Sequence, residues 1–327
     1  MVRKKRGRAN PSWGGFIIAI GVAATGCGPP PGDPNGNSWQ RRGTSSDKPL
    51  GRQIAYLGDL HQPESVKYDS EQDVFFISNM VGFGSDRDGF GYIVQVSAAD
   101  LSKSRIFAQS GNSGVIMDAP KGMAIHGDTL WICDIDKMRA LHRKTGLSLA
   151  TIDFSGHGAV LLNDVTIGDG GMYITDTGIL MTPKGVTHPG GDRIFRVRNG
   201  VISVIAGGQA LGRPNGIVWD EIGKRLVVAS FDPFRSELYA VDSSGNRRLL
   251  AAGNGRFDGV EPLEGGRFMV ASWNDSSVRL LGAGANRRIA DKVMQPADIG
   301  YDTRRNRLAI PVGPLNQMQL WQLPDFP

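Results

Sequence analysis

The stretch RPNGIVWD, residues 213–220, joins turn chemistry in Pro214-Asn215-Gly216 to strand chemistry in Ile217-Val218-Trp219. No partner strand lies close enough upstream for a two-residue hairpin, so a local turn does not explain an amide at the mouth of an apolar strand. The arrangement recurs. Pro63-Glu64-Ser65, Pro120-Lys121-Gly122, Leu162-Asn163-Asp164, Phe257-Asp258-Gly259 and Pro296-Ala297-Asp298 each lead into a further strand. The six triplets begin 39 to 57 residues apart, in or near the range of four-stranded propeller blades with loop insertions.

In each unit the triplet and its strand are followed by a short turn, a second apolar strand, and then two more strands. The second strands read VFFISNM, TLWICDI, GMYITDT, RLVVASF, RFMVASW and RLAIPVG, and third strands include YIVQV, RIFRV, ELYAV and VRLLG. No amphipathic helical periodicity of any length is evident. The pattern predicts an all-β fold, a six-bladed β-propeller of four-stranded blades over residues 51–327, and argues against two α/β domains. The turn at Asn215 then joins two blades.

The first strand of a propeller blade lines the central tunnel. The middle residues of the triplets, Glu64, Lys121, Asn163, Asn215, Asp258 and Ala297, are therefore expected to converge at one end of it. Turn preference accounts for any one Asn or Asp in such a place. It does not account for four oxygen-bearing side chains in one slot of a repeat, one of them Glu64, which has no special turn propensity. Glu64, Asn163, Asn215 and Asp258 offer two carboxylates and two amide oxygens without sulfur or imidazole. Such a set suits one divalent cation, Ca²⁺ favoured, with Mg²⁺, Mn²⁺ or Zn²⁺ as alternatives. Two neutral ligands leave part of the ion's charge uncancelled, an arrangement that serves catalysis better than a closed structural site.

The bulk composition is that of a globular β protein, with 40% hydrophobic and 21% charged residues and 45 glycines, and excludes disorder of the whole chain. The pI of about 9.3 invites a nucleic-acid reading. However, five of the 37 basic residues, Arg3, Lys4, Lys5, Arg6 and Arg8, fall in the first 26, which hold no acid. The remainder carries 32 basic against 32 acidic residues, and the electrostatic case for binding nucleic acid disappears. Residues 1–26 read instead as an export signal: a basic start, then the apolar run WGGFIIAIGVAATG to Gly26, short of the roughly 20 residues that span a bilayer. Ala24-Thr25-Gly26-Cys27 resembles a bacterial lipobox, with Cys27 the residue lipidated. Residues 27–50, poor in apolar side chains, read as a flexible tether. The chain is thus expected to be exported, as a cell-envelope lipoprotein touching the membrane only through its lipid. With Cys133 the one cysteine in the folded part, stability is expected from packing alone.

PESVKYD at 63–69, LNDVTIGDGGMYITDTG at 162–178, RPNGIVWD at 213–220 and FDGVEPLEGGRFMVASW at 257–273 resemble the senescence-marker-protein/regucalcin/gluconolactonase family. Paraoxonase-type and strictosidine-synthase-like propellers are relatives. The resemblance implies a six-bladed propeller with a divalent cation at one tunnel end that hydrolyses sugar lactones. It puts Glu64, Asn215 and Asp258 at metal-binding positions and Asn163 beside both metal and substrate. Asp258 would orient or deprotonate the attacking water while the cation polarises the lactone carbonyl. A G-x-S-x-G elbow, a G-x-G-x-x-G turn and a Walker loop are all absent from the chain.

Two departures bear on substrate. Sugar-lactone enzymes of the family often carry arginine where Leu161 stands, so a more apolar or differently shaped lactone or ester is expected. Lys121 is unusual in a ring around a cation, and its ammonium is expected either to point into solvent, the favoured reading, or to grip a substrate carboxylate. His157, in the connection leading to Asn163, reads as a surface-loop residue, with a base that reaches the site as the alternative. His188, Asp86 and Asp88 sit in long connections expected to rise on the triplet face as a substrate-selecting rim, and Asp86-Arg87-Asp88 lacks the ligand series of a calcium loop. Asp298 reads as a strand-start residue or as a carboxylate behind the ligands. The alternative to a lactonase is a non-catalytic propeller that binds a ligand or protein partner on the same face.

Overall fold

A computed structural model describes residues 48–326; the stretches read as export signal and tether, with Cys27, lie outside them but for the last residues of the tether. Six four-stranded antiparallel sheets form a ring, a six-bladed β-propeller. Their inner strands are Pro63–Asp69, Pro120–His126, Leu162–Gly168, Pro214–Asp220, Phe257–Leu263 and the short Gly300–Asp302. Among the described residues helix occurs only as single 3₁₀ turns, and no helix is long and apolar enough to cross a membrane.

Blades 1 to 5 each use four strands consecutive in the sheet, and blade 3 adds a small hairpin, Leu180–Thr182 with Gly185–Thr187, between its second and third strands. Blade 6 is composite. Its three C-terminal strands, ending in Gln317–Gln322, pair on the outer edge with Arg52–Leu57 from the start of the folded part. This closing strand was not resolved by the repeat reading, because it belongs to no unit of its own.

The second strands are continuous apolar runs because both of their faces are buried between neighbouring blades. In blade 1, Phe75 and Ile77 pack toward blade 6 with Met318 and Leu320, while Phe76, on the opposite face, packs toward blade 2 with Met123 and Ile132. In blade 5, Phe268 and Val270 face blade 4, while Met269 and Ala271 face blade 6. One apolar cluster fills each of the six blade interfaces among the described residues. Cys133 is buried and free in the cluster between blades 2 and 3, consistent with stability by packing.

Closure rests on the seam between blades 6 and 1. Leu320, 3% exposed, pairs with Ala55 of the closing strand and packs against the blade 1 core. Leu320→Ala is expected to cost about 2–5 kcal/mol, the usual range for a buried leucine truncated to alanine. Chemical denaturation of residues 48–327 reads this directly, and a loss below about 1 kcal/mol would mean that the ring does not depend on this seam.

Candidate functional site

The six triplets are the entry segments of the inner strands. In each of blades 1 to 5 the first triplet residue pairs with the last residue of the second strand, Pro63 with Asn79 or Pro214 with Ser230. The next pair is three residues on in the inner strand but only two back in its partner, Val66 with Ile77 or Ile217 with Val228. The same slip occurs at Pro120/Met123, Leu162/Val165 and Phe257/Val260. Each triplet therefore carries a β-bulge with one extra residue, which leaves the ladder locally and re-aims the side chains there. Asn215 stands in such a bulge. Blade 6 lacks a paired strand at this height, and its triplet is held by isolated bridges, Pro296 with Val312 and Ser65 with Asp298.

The third triplet residue faces the next blade. A Cβ on Gly216 would lie 2.4 Å from the Asp258 carbonyl oxygen, and one on Gly122 would lie 2.3 Å from an Asp164 carboxylate oxygen. Glycine there lets adjacent inner strands meet backbone to backbone. Thr175 Oγ1 and Thr177 Oγ1 of blade 3 donate to the Asn215 and Pro214 carbonyls, at 2.5 and 2.9 Å, and lock the fourth triplet in place.

Glu64, Lys121, Asn163, Asn215 and Asp258 are all buried, none more than 8% exposed. Glu64 Oε2, Asn163 Oδ1, Asn215 Oδ1 and Asp258 Oδ1 are fully buried acceptors without a hydrogen-bond partner. Leaving one such acceptor unpaired costs about 1–3 kcal/mol, so four at the same step of four inner strands constitute a feature in need of a partner. Among the described residues no three His, Cys, Asp or Glu side chains gather as metal ligands. The candidate set is instead mixed, two carboxylates and two amides, and its all-oxygen chemistry fits a hard divalent cation.

The acids are charged only at a cost. Burial, followed by the neighbouring Asp258, pushes Glu64 well above the usual carboxylate range, while Lys121 pulls it back. Burial and then Asp298 push Asp258 up as well, and the Trp273 indole, beside it but short of hydrogen-bond geometry, opposes them. Glu64 is thus within electrostatic reach of both Asp258 and Lys121. Asp298 lies behind the ring, accepting from Ser65 Oγ at 2.5 Å while its backbone N–H donates to the Glu64 carbonyl.

Lys121 differs from expectation. It does not reach solvent: it is fully buried, and Nζ donates to the backbone carbonyls of Gly84 at 2.7 Å and Ala119 at 2.8 Å. Burial lowers its pKa and Glu64 raises it. With two carbonyls accepting from it, the ammonium has its hydrogen bonds without reaching water.

Gly84 belongs to the blade 1 connection, and this loop meets the blade 3 hairpin above blade 2. Ser85 N–H donates to the Met181 carbonyl, and Met181 N–H to Ser85 Oγ. The long connections thus rise on the triplet face, as the sequence implied. Within them Asp86 receives the Phe83 N–H, Asp88 the Phe90 N–H, and Arg87 pairs with Asp136. His188 Nε2 meets Asp192 Oδ1 at 2.5 Å, and Asp192 Oδ2 accepts the Arg213 N–H at the entry to the fourth triplet. His157 is exposed in a one-turn helix, as expected.

Deeper in the tunnel the sequence reading missed a second polar level. Lys67 Nζ pairs with Glu261 Oε1 at 3.2 Å across the tunnel, and burial pushes the Asp164 carboxyl up to about 7 although its oxygens accept the Ile217 and Val165 N–H groups. Charged residues at the third and fifth positions of the inner strands were the available signal. An apolar layer on the mouth side was missed too: Met80, Ala119, Ile135, Leu161, Ile179, Met181, Phe231 and Trp273 form one cluster.

No protein-family model matches the sequence, and no curated protein is similar to it in sequence. Solved structures are similar in fold. A gluconolactonase of Xanthomonas campestris superposes with a TM-score of 0.62 at 16% identity, over 85% of this chain and 96% of that one. A luciferin-regenerating enzyme gives 0.64 at 13% over 85% and 96%, and a virginiamycin B lyase of Staphylococcus aureus 0.54 at 12% over 84% and 98%. The differing activities in these names show that the likeness is one of architecture, and this chain is similar in it to the gluconolactonase-like six-bladed propellers.

Proposed function

We propose that the chain is a divalent-cation-dependent hydrolase of lactones or related carboxylic esters, working at the tunnel end where Glu64, Asn163, Asn215 and Asp258 meet. The observation that carries this is the four buried, partnerless oxygen atoms at one step of the repeat. The gluconolactonase among the similar folds supports it as an analogy. Ca²⁺ is the favoured ion on donor chemistry. Bound there, the ion would polarise the scissile carbonyl and stabilise the oxyanion.

The chain's own residues supply the rest. Asn163 and Asn215 cannot protonate, so half of the donor set is indifferent to pH. The charge of Lys121 acts on Glu64 and favours its charged form. It cannot grip a substrate carboxylate while its donors serve Gly84 and Ala119, so within the ring Asn163 remains the substrate-orienting candidate. Asp258, flanked by the Trp273 indole, would hold the attacking water by accepting its hydrogen bond. A second reading, a closed structural ion in a ligand-binding propeller, is favoured by how little of the ring is exposed. Turnover decides between them.

Isothermal titration with Ca²⁺ is expected to show one ion per chain. Glu64→Gln and Asn215→Ala should each weaken it by more than the about 10–100-fold that loss of a mere supporting contact costs. At a hundredfold excess over Kd, Ca²⁺ should stabilise the fold by about 2.7 kcal/mol. Unchanged binding in both variants would remove the ring as the site.

In a hydrolysis assay over a panel of lactones and esters, turnover should vanish with EDTA and return with Ca²⁺. Asp258→Ala should lower kcat/KM by about 10²–10⁴-fold. Cation binding without turnover of any substrate would favour the structural reading.

We also propose that the protein is exported and anchored through Cys27. Cys27→Ala should abolish metabolic labelling by palmitate and release the protein from the membrane fraction; continued labelling would refute the anchor.

A further inference from the structure

The four ring oxygens are acceptors without donors, and beside them stands a donor without an acceptor. The residue directly after the second strand is Met80, Ile135, Thr177, Phe231, Trp273 and Gly313 in blades 1 to 6. Only Thr177 and Trp273 carry a side-chain donor at this step. Thr177 donates its hydroxyl to the Pro214 carbonyl at 2.9 Å. Trp273 has no such outlet: its indole Nε1 is fully buried and bonds to nothing. A buried N–H without an acceptor is rare in a folded protein, and each one marks strain or a partner yet to arrive.

The backbone fixes where this donor stands. Phe257, the first residue of the fifth triplet, pairs with Ser272, and the Trp273 N–H donates to the Arg256 carbonyl at 3.0 Å. Trp273 therefore sits one step toward the mouth on the strand next to Asp258. On its other side Phe231 of blade 4 meets the indole edge to face, ring centroids 4.9 Å apart. The ring is thus held by the backbone of its own blade and by an aromatic neighbour from the next. Its N–H lies beside the Asp258 carboxylate, short of hydrogen-bond geometry, and Asp258 Oδ1 is itself buried without a partner. A donor and an acceptor stand side by side, neither of them satisfied.

We propose that Trp273 is the positioning residue for Asp258: when a divalent cation occupies the ring, the indole N–H donates to the Asp258 carboxylate and fixes the orientation in which that group faces the ion and the attacking water. This rests on the hydrolase reading above. A carboxylate that binds a cation is ionised, and a hydrogen bond to an ionised oxygen is shorter and stronger than one to a neutral oxygen. The two carboxylate oxygens have lone pairs enough for the ion, the water and the indole at once. Donors that hold a metal ligand in this way typically carry about 10–100-fold of metal affinity or activity.

Nuclear magnetic resonance of the indole N–H groups in the full chain, which has six tryptophans, tests this, with Trp273→Phe identifying the Trp273 signal. Saturating Ca²⁺ should move that proton downfield and slow its exchange with solvent at least about tenfold. Benzothienylalanine in place of Trp273 keeps the shape of the indole and removes only its N–H. By calorimetry this replacement should weaken Ca²⁺ binding about 10–100-fold. In turnover of a lactone or ester it should lower kcat more than it raises KM. An unmoved Trp273 signal in the Ca²⁺-saturated chain, or a benzothienyl protein that binds Ca²⁺ within about twofold of the original, overturns the proposal and leaves the hydrolase reading standing. The predicted shift and loss of affinity without turnover of any lactone or ester do the reverse. Absence of Ca²⁺ binding altogether removes both.

Discussion

The close approach of the inner strands around one axis is the constraint from which the rest of the molecule follows. Where the strands begin they come near enough that Gly216 and Gly122 have no space for a Cβ, and each of the five paired inner strands absorbs one extra residue in a bulge. A bulge releases side chains from strict alternation. Repeated around the ring, it puts Glu64, Asn163, Asn215 and Asp258, each with a buried and unpartnered oxygen, at the same step of four inner strands.

Crowding creates the electrostatic problem that the chemistry exploits. Two carboxylates and two amide oxygens without partners are costly in a buried volume, and burial together with mutual repulsion drives the acids toward their neutral forms. Lys121 offsets part of this for Glu64, and at the deeper level Lys67 pairs with Glu261 near Asp164 and Asp298. The upper ring retains a deficit of positive charge that a divalent cation would complete. That deficit links a structural cost to the proposed activity, since a cation held by partly neutral ligands keeps charge to spend on a substrate carbonyl.

Much of this was legible in the residue order, for physical reasons. Six units were visible because every blade buries both faces of its second strand, so VFFISNM, RLVVASF and RFMVASW are apolar throughout. The ring positions were visible because Glu64 has no turn-forming reason to stand where Asn215 and Asp258 stand. The closing strand Arg52–Leu57 was hidden because it completes a blade whose other strands lie at the opposite end of the chain. Lys121 was misread because a lone lysine carries no mark of the two distant carbonyls that satisfy it, one of them in a loop 37 residues away. The apolar layer stood in plain view as the last letters of the second strands, but only the fold shows that these residues face one another across the mouth.

The central claim, that the partnerless oxygens form a cation site, is tested most directly by crystals grown with Ca²⁺ and measured at a wavelength where calcium scatters anomalously. The account predicts a single strong anomalous peak within about 2.3–2.6 Å of Glu64 Oε2, Asn163 Oδ1, Asn215 Oδ1 and Asp258 Oδ1. No peak at the ring under saturating Ca²⁺, or a peak only deeper in the tunnel beside Asp164 and Asp298, would contradict it.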